Sequence, residues 1–235
     1  MKHSWPRTAR PAMALQERLR GRISIGDHLG AVRRVAGADI AYDPSRDRLY
    51  AAVLVFSFPS LEPIEWRAVT ARIRFPYVPG LLSFREVPAL LAAWRLLKTR
   101  PDLLICDGQG IAHPRGIGLA SHLGLLLDRP TIGCAKSRLV GRHGPVGVQR
   151  GARASLVHGG RVVGTVLRTR PGVKPLYISP GHRIGLGDSV RYVLACTRGF
   201  RLPEPVRQAD RLVAGLRAGR AIETPGAPRG RKSLC

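Results

Sequence analysis

Residues 102–110 read DLLICDGQG. Leu103, Leu104, Ile105 and Cys106 form an unbroken apolar run that closes on Asp107 and a glycine-rich turn. A half-exposed strand would alternate apolar with polar residues, so this run describes a short strand covered on both faces. Downstream, residues 116–128 (GIGLASHLGLLLD) have helical spacing, and residues 131–136 (TIGCAK) form another apolar strand, ending on Lys136. Upstream, residues 85–99 place Val87, Leu90, Leu91, Trp94 and Leu97 at helical intervals. Helices alternating with buried strands require parallel pairing with helices laid on the sheet.

Working outward, residues 33–43 (RRVAGADIAYD), 49–60 (LYAAVLVFSFPS) and 63–75 (PIEWRAVTARIRF) are strand-like and joined by short turns, which predicts an antiparallel three-strand meander. Beyond Lys136, residues 154–158 and 162–169 flank the turn GGR as a hairpin, and residues 175–181 (PLYISPG) form a last strand or an edge element. Segments 185–199 and 203–219 read as closing helices, and a modest amphipathic helix covers 12–22. The fold class is α/β, a mixed sheet with helices packed on it. One domain spans residues 12–219, between a flexible basic tail over 1–11 and a disordered basic tail over 220–235.

Charge narrows the function. Lys and Arg number 39 against 15 Asp and Glu, a net charge of +24. Such an excess reads as a polyanionic partner, with nucleic acid the first candidate, the plain alternative being the arginine-rich composition of a GC-rich genome. Cys106, Cys134, Cys196 and Cys235 form no CxxC pair, and the first three read as buried small hydrophobes rather than zinc ligands. No apolar run reaches the ~18 residues that span a bilayer, and the first twenty residues lack a continuous apolar core, so the expected location is the cytoplasm.

In so basic a chain each carboxylate is informative. Asp39 interrupts an apolar strand, either paired with an arginine or ligating a metal; Asp107 ends another, either starting a turn or ligating. If the first and fourth strands are neighbours, the two aspartates converge, and hard oxygen ligands of this kind suit Mg²⁺ or Mn²⁺. Glu86 lies in the first turn of a helix, where acids are favoured anyway. Asp210 lies on the last helix, where a solvated or arginine-paired acid is the plain alternative. Lys136 ends its strand as Asp107 does and is placed to stabilise charge on a transferring group. His113 and His182 sit in Gly/Pro-flanked loops. The loop before Glu86, residues 75–86 (FPYVPGLLSFRE), is apolar where a solvated loop is ordinarily polar.

Together, GAD (37–39), PYVPGLLSFRE (76–86), the stretch 107–139, SPGH (179–182) and RLPEPVRQAD (201–210) closely resemble the endonuclease V family, the deoxyinosine 3′-endonucleases. The resemblance covers residues 35–210 and implies an RNase H-like fold. It implies that Asp39 and Asp107 bind Mg²⁺, with Mn²⁺ as an alternative ion, and that Glu86, Lys136 and Asp210 join them in catalysis. It implies that Tyr77 is a wedge entering the duplex, and that Pro79, Gly80, Leu82, Gly108 and His113 belong to the lesion-binding region. His182 is carried only as a rim residue. The expected partner is DNA containing deoxyinosine, acted on by a monomer without an obligate protein partner or a membrane. The alternatives are an inosine-specific endoribonuclease on the same fold and a non-catalytic nucleic-acid-binding module.

Overall fold

The computed structural model describes residues 3–26 and 29–220. The elements in chain order are α1 (Ala9–Arg20), β1 (Arg34–Asp43), β2 (Arg48–Ser57), β3 (Pro63–Arg72), α2 (Leu82–Leu96), β4 (Leu103–Cys106), α3 (Leu119–Leu127), β5 (Thr131–Ala135), β6 (Arg153–His158), β7 (Arg161–Leu167), β8 (Leu176–His182), α4 (Leu186–Ala195) and α5 (Glu204–Arg217). All eight strands form one sheet in the order β3-β2-β1-β4-β5-β8-β7-β6. The meander is antiparallel. β4 pairs parallel to both β1 and β5, as alternation with helices requires. This is the RNase H-like mixed sheet that the resemblance implies.

The apolar run in β4 is explained by its two faces. Leu103 and Ile105 join one core cluster with Val35 of β1 and with Val206, Ala209 and Val213 of α5. Leu104 and Cys106 join a second cluster with Ala36 and Ala38 of β1, Val87 and Leu90 of α2, and Leu123 of α3. Alternate side chains therefore enter opposite layers, the helices α4 and α5 below and α2 and α3 above. At Gly37, a β-carbon would lie 2.0 Å from the carbonyl oxygen of Pro205. The glycine lets α5 lie directly on β1, which brings the middle of α5 over the strand end.

Several expectations shift. The segment 175–181 is an interior strand, β8, held between β5 and β7 rather than at an edge. α2 begins at Leu82 rather than Arg85, so Leu82 and Ser83 belong to its first turn. α1 begins at Ala9, and Trp5 packs edge-on to Phe84 and against His122. Residues 3–11 are thus docked on the domain and are not a tail free of it. The C-terminal tail from residue 221, with Cys235, lies outside the described residues. Cys106, Cys134 and Cys196 are free and buried. Among the described residues no helix is long and apolar enough to cross a membrane.

Candidate active site

Strand alternation decides which carboxylates meet. Asp39 follows Ala38, which is level with Cys106 in the parallel β1–β4 ladder; Asp107 follows Cys106. Both therefore leave their strands at the same level and share the parity of Val35 and Leu103, the face that α5 covers. α5 supplies Asp210. Asp39, Asp107 and Asp210 each offer a carboxylate oxygen within 4.8 Å of the others, forming a group able to hold a metal ion. Lys136, just past the end of the neighbouring β5, reaches the same point, with Nζ 2.6 Å from Asp107 Oδ2 and 2.9 Å from Asp210 Oδ1. An ammonium already lodged among these carboxylates shows that the position favours a cation.

Glu86 approaches from the other layer. It sits on α2, buried, and accepts a 2.7 Å hydrogen bond from the hydroxyl of Tyr42, which lies on the α2-facing side of β1. This is why it stands beside the three aspartates and outside their group. Arg85 stacks over the Tyr42 ring at 4.5 Å, completing a second polar cluster.

The electrostatics follow from crowding like charges in a poorly solvated place. Burial, then the charge of Asp107, pushes the Asp39 carboxyl up to about 8. Burial pushes Glu86 up to about 7, opposed by the Tyr42 hydrogen bond and reinforced by Asp107. Burial likewise raises Asp107, against the pull of Lys136. Burial works against the Lys136 ammonium, yet Asp107 and Asp210 outweigh it and hold the lysine above its ordinary range. A divalent cation reverses the sign of this cluster and favours every ionised carboxylate in it.

Beside this cluster, the apolar loop and the segment after Asp107 enclose a cavity of about 140 Å³, lined by Tyr77, Pro79, Gly80, Leu82, Gln109 and Leu119, among others. Tyr77 at its mouth is 74% exposed, unusual for a tyrosine in an apolar loop. Gly80 has φ +77°, a conformation that a side chain would strain. Its carbonyl accepts three hydrogen bonds, from His113 Nε2 at 2.8 Å, Arg115 Nη2 at 3.0 Å and Gln16 Nε2 at 3.0 Å. His113 Nδ1 accepts from the Arg115 backbone N–H at 3.2 Å, so Nε2 carries the proton. Burial pushes this imidazole down to about 4, keeping it neutral.

The RNase H-like sheet is the fold that the sequence resemblance implies. The family model of endonuclease V matches residues 17–211. The chain belongs to the endonuclease V family. It is 53% identical over 210 residues to endonuclease V of Roseiflexus sp. strain RS-1, covering 89% of this chain and 94% of that one. The crystal structure of endonuclease V from Streptomyces avermitilis superposes with a TM-score of 0.87 at 42% identity, covering 94% of this chain and 98% of that one. Endonuclease V of Ciona intestinalis, solved with a 24mer DNA containing an inosine followed by a ribo-adenosine, has a TM-score of 0.77 at 26% identity over 88% and 96% of the two chains. As an endonuclease V, the protein is a nuclease.

Within this endonuclease V domain the anticipated residues do not all come together, Glu86 standing in the other layer with Tyr42. Asp39, Asp107 and Asp210 come together, Lys136 touches Asp107 and Asp210, and Asp210 stands in the group able to hold a metal ion as fully as the two aspartates singled out for it. Tyr77, Pro79, Gly80, Leu82 and His113 line the cavity, with His113 Nε2 holding the loop at Gly80 and Nδ1 engaged by the backbone N–H of Arg115. Gly108 lies behind the wall: a β-carbon there would come within 3.1 Å of Leu119, so it lets the wall close up. His182 is corrected outright. It pairs with Thr131, the first residue of β5, whereas Lys136 follows the last, so it lies at the other end of the sheet near Asp128.

Sequence reasoning missed Gln16 and Gln109. Gln16 is buried on α1 between Ala12 and Leu19, and a lone amide on an apolar helical stripe was the available signal. Gln109 lines the cavity and donates to the carbonyl of Ser137 at 3.0 Å, tying the cavity wall to the residue after Lys136.

Proposed function

We propose that this endonuclease V acts on DNA containing deoxyinosine. It requires Mg²⁺, or Mn²⁺ in its place, and hydrolyses the second phosphodiester 3′ to the lesion, leaving 3′-hydroxyl and 5′-phosphate ends. The observation that carries this reading is a shared scaffold. Asp107 and Gln109, two residues apart, serve the carboxylate group and the cavity respectively, and α2 likewise carries Leu82 at the cavity and Glu86 beside the carboxylates. Reading a base and cutting a nearby phosphate are thereby held at a fixed separation.

Asp39, Asp107 and Asp210 are the residues that would hold the ion. Mg²⁺ bound there supplies a Lewis acid for the phosphate and acidifies the attacking water. Lys136 is held cationic by Asp107 and Asp210 and provides a fixed positive charge for the scissile phosphate. Glu86, buried beside the aspartates and held by the Tyr42 hydroxyl, would help to orient that water. Tyr77, exposed at the cavity mouth, is placed to fill the stack vacated by a flipped base and to offset part of the few kcal/mol that flipping costs. Hypoxanthine differs from adenine in presenting O6 as an acceptor and N1–H as a donor, which backbone groups of a close-fitting glycine loop can read.

The test is nicking of matched oligonucleotides carrying inosine in DNA, inosine in RNA, or no inosine, with and without Mg²⁺. Metal-dependent cleavage of the inosine-DNA strand is the expected outcome. Cleavage confined to the RNA strand would transfer the reading to an endoribonuclease, an arm worth including because the Ciona relative was solved with a DNA in which a ribo-adenosine follows the inosine. Inosine-independent cleavage, or none, would defeat it.

A further inference from the structure

The motif RLPEPVRQAD contributes Asp210 to the site, but its first residue also has an address. Arg201 lies between α4 and α5, and its guanidinium donates to three main-chain carbonyls: Nη2 to Lys136 at 2.7 Å and to Pro175 at 3.0 Å, and Nε to Lys174 at 2.8 Å. Its own carbonyl accepts a 2.6 Å hydrogen bond from Thr169, which is 1% exposed. One planar fork thus joins the residue after β5, the segment entering β8 and the chain leading into α5. Two of the groups so joined, Lys136 and α5, are the ones whose side chains meet at the carboxylate group, Lys136 Nζ on Asp210 Oδ1. Every hydrogen-bond partner of the guanidinium is a neutral carbonyl, and Arg201 is in none of the ion pairs found among the described residues, although its charge also works to lower the Asp107 carboxyl. Such a fork is a rigid fixture: a lysine presents the same charge without the planar geometry.

We infer that Arg201 is a positioning residue for Lys136: by holding the Lys136 carbonyl and the approach to α5 in one fork, it sets where the ammonium stands against Asp107 and Asp210. The inference rests on the nuclease reading above. A displacement of about 1 Å in a charge-stabilising group costs on the order of a hundredfold in rate, and Lys136 is the group displaced.

The decisive experiment is a double-mutant cycle on single-turnover cleavage of inosine-containing duplex by the full chain, with thermal unfolding recorded for each variant. Arg201→Ala should slow cleavage about tenfold to a hundredfold, with the affinity for uncleaved duplex changing by less than about threefold. In a Lys136→Ala background the same substitution should change the rate by less than about twofold, because the group it positions is already gone. Arg201→Lys keeps the charge and loses the planar fork, so it should recover little of the loss; full recovery would overturn the inference. Equal factors in both backgrounds would overturn the inference, as would an unchanged rate. A loss confined to affinity, with a shallower salt dependence, would make Arg201 a phosphate contact instead. If Arg201→Ala does not fold, Arg201→Lys and Arg201→Gln carry the same comparison. A wild type inactive on inosine substrates would refute the function, whereas an active wild type with multiplicative losses would refute only this inference.

Discussion

Asp39 has the cost of its position written into its acidity. Its carboxyl is pushed from 3.8 to about 8 by burial and by Asp107, so the metal-free fold holds a proton that the unfolded chain gives up. The sign follows: stability from this group is complete below the unfolded value and is lost as pH rises through about 8. His113 and His122, both depressed by burial, are neutral throughout that upper range and do not contribute to the change. The metal-free protein should therefore melt lower at about pH 9 than at about pH 7, and Asp39→Asn should remove most of that difference, on the order of 1 kcal/mol. Because Mg²⁺ takes the ionised carboxylates and releases protons, its addition should raise the melting temperature more at the higher pH. Calorimetric scans at the two pH values, with and without the ion, check both. Tyr77 belongs to the same scale. Tyr77→Ala should reduce discrimination between inosine-containing and plain duplex by about tenfold and leave plain-duplex affinity nearly unchanged; equal losses on both duplexes would remove its role as a wedge.

The loop and the elements around it define the next scale. Residues 77–80 are held by α1 through Gln16 and by the segment after β4 through His113 and Arg115, all converging on one carbonyl. Gln16→Ala removes one of these donors from a buried site and leaves Arg115 Nε, now bound to Gln16 Oε1 at 2.5 Å, to find another partner. A loss of about 1–3 kcal/mol is expected, read by denaturant unfolding, together with weaker inosine discrimination at an unchanged metal requirement. Much at this scale was legible in the chain: the fully apolar β4, the meander and the parity of Asp39 and Asp107 all follow from side-chain period. What was not legible depended on distant partners. α2 starts without a capping side chain at Leu81, so nothing local announced its first turn. The interior position of β8 is set by pairing with β5 and β7, and the packing of Trp5 by Phe84 and His122, contacts that no local pattern encodes. Gln16 was hidden because a single amide on an apolar stripe looks like a satisfied core residue until its acceptors are known.

At the scale of the molecule, a charge of +24 on 235 residues is carried mainly by arginines outside the carboxylate group. One groove beside α2 is lined by Arg7, Arg72, Arg74 and Arg85 without a single carboxylate. Affinity for inosine-free duplex should therefore fall about a hundredfold or more between roughly 50 mM and 200 mM salt, through counterion release, while the single-turnover rate on bound inosine substrate changes little. Steady-state binding across a salt series measures the first and rapid-quench kinetics the second. In the proposed function one scaffold reads inosine and cuts a phosphate at a fixed distance with the carboxylate group. The most direct test is to map the nicks made in an end-labelled duplex with a single deoxyinosine, comparing wild type with Asp107→Ala in Mg²⁺. A single cut at the second phosphodiester 3′ to the inosine, lost in Asp107→Ala while binding persists, is the predicted result; cuts scattered along the strand, or undiminished cutting by Asp107→Ala, would contradict it.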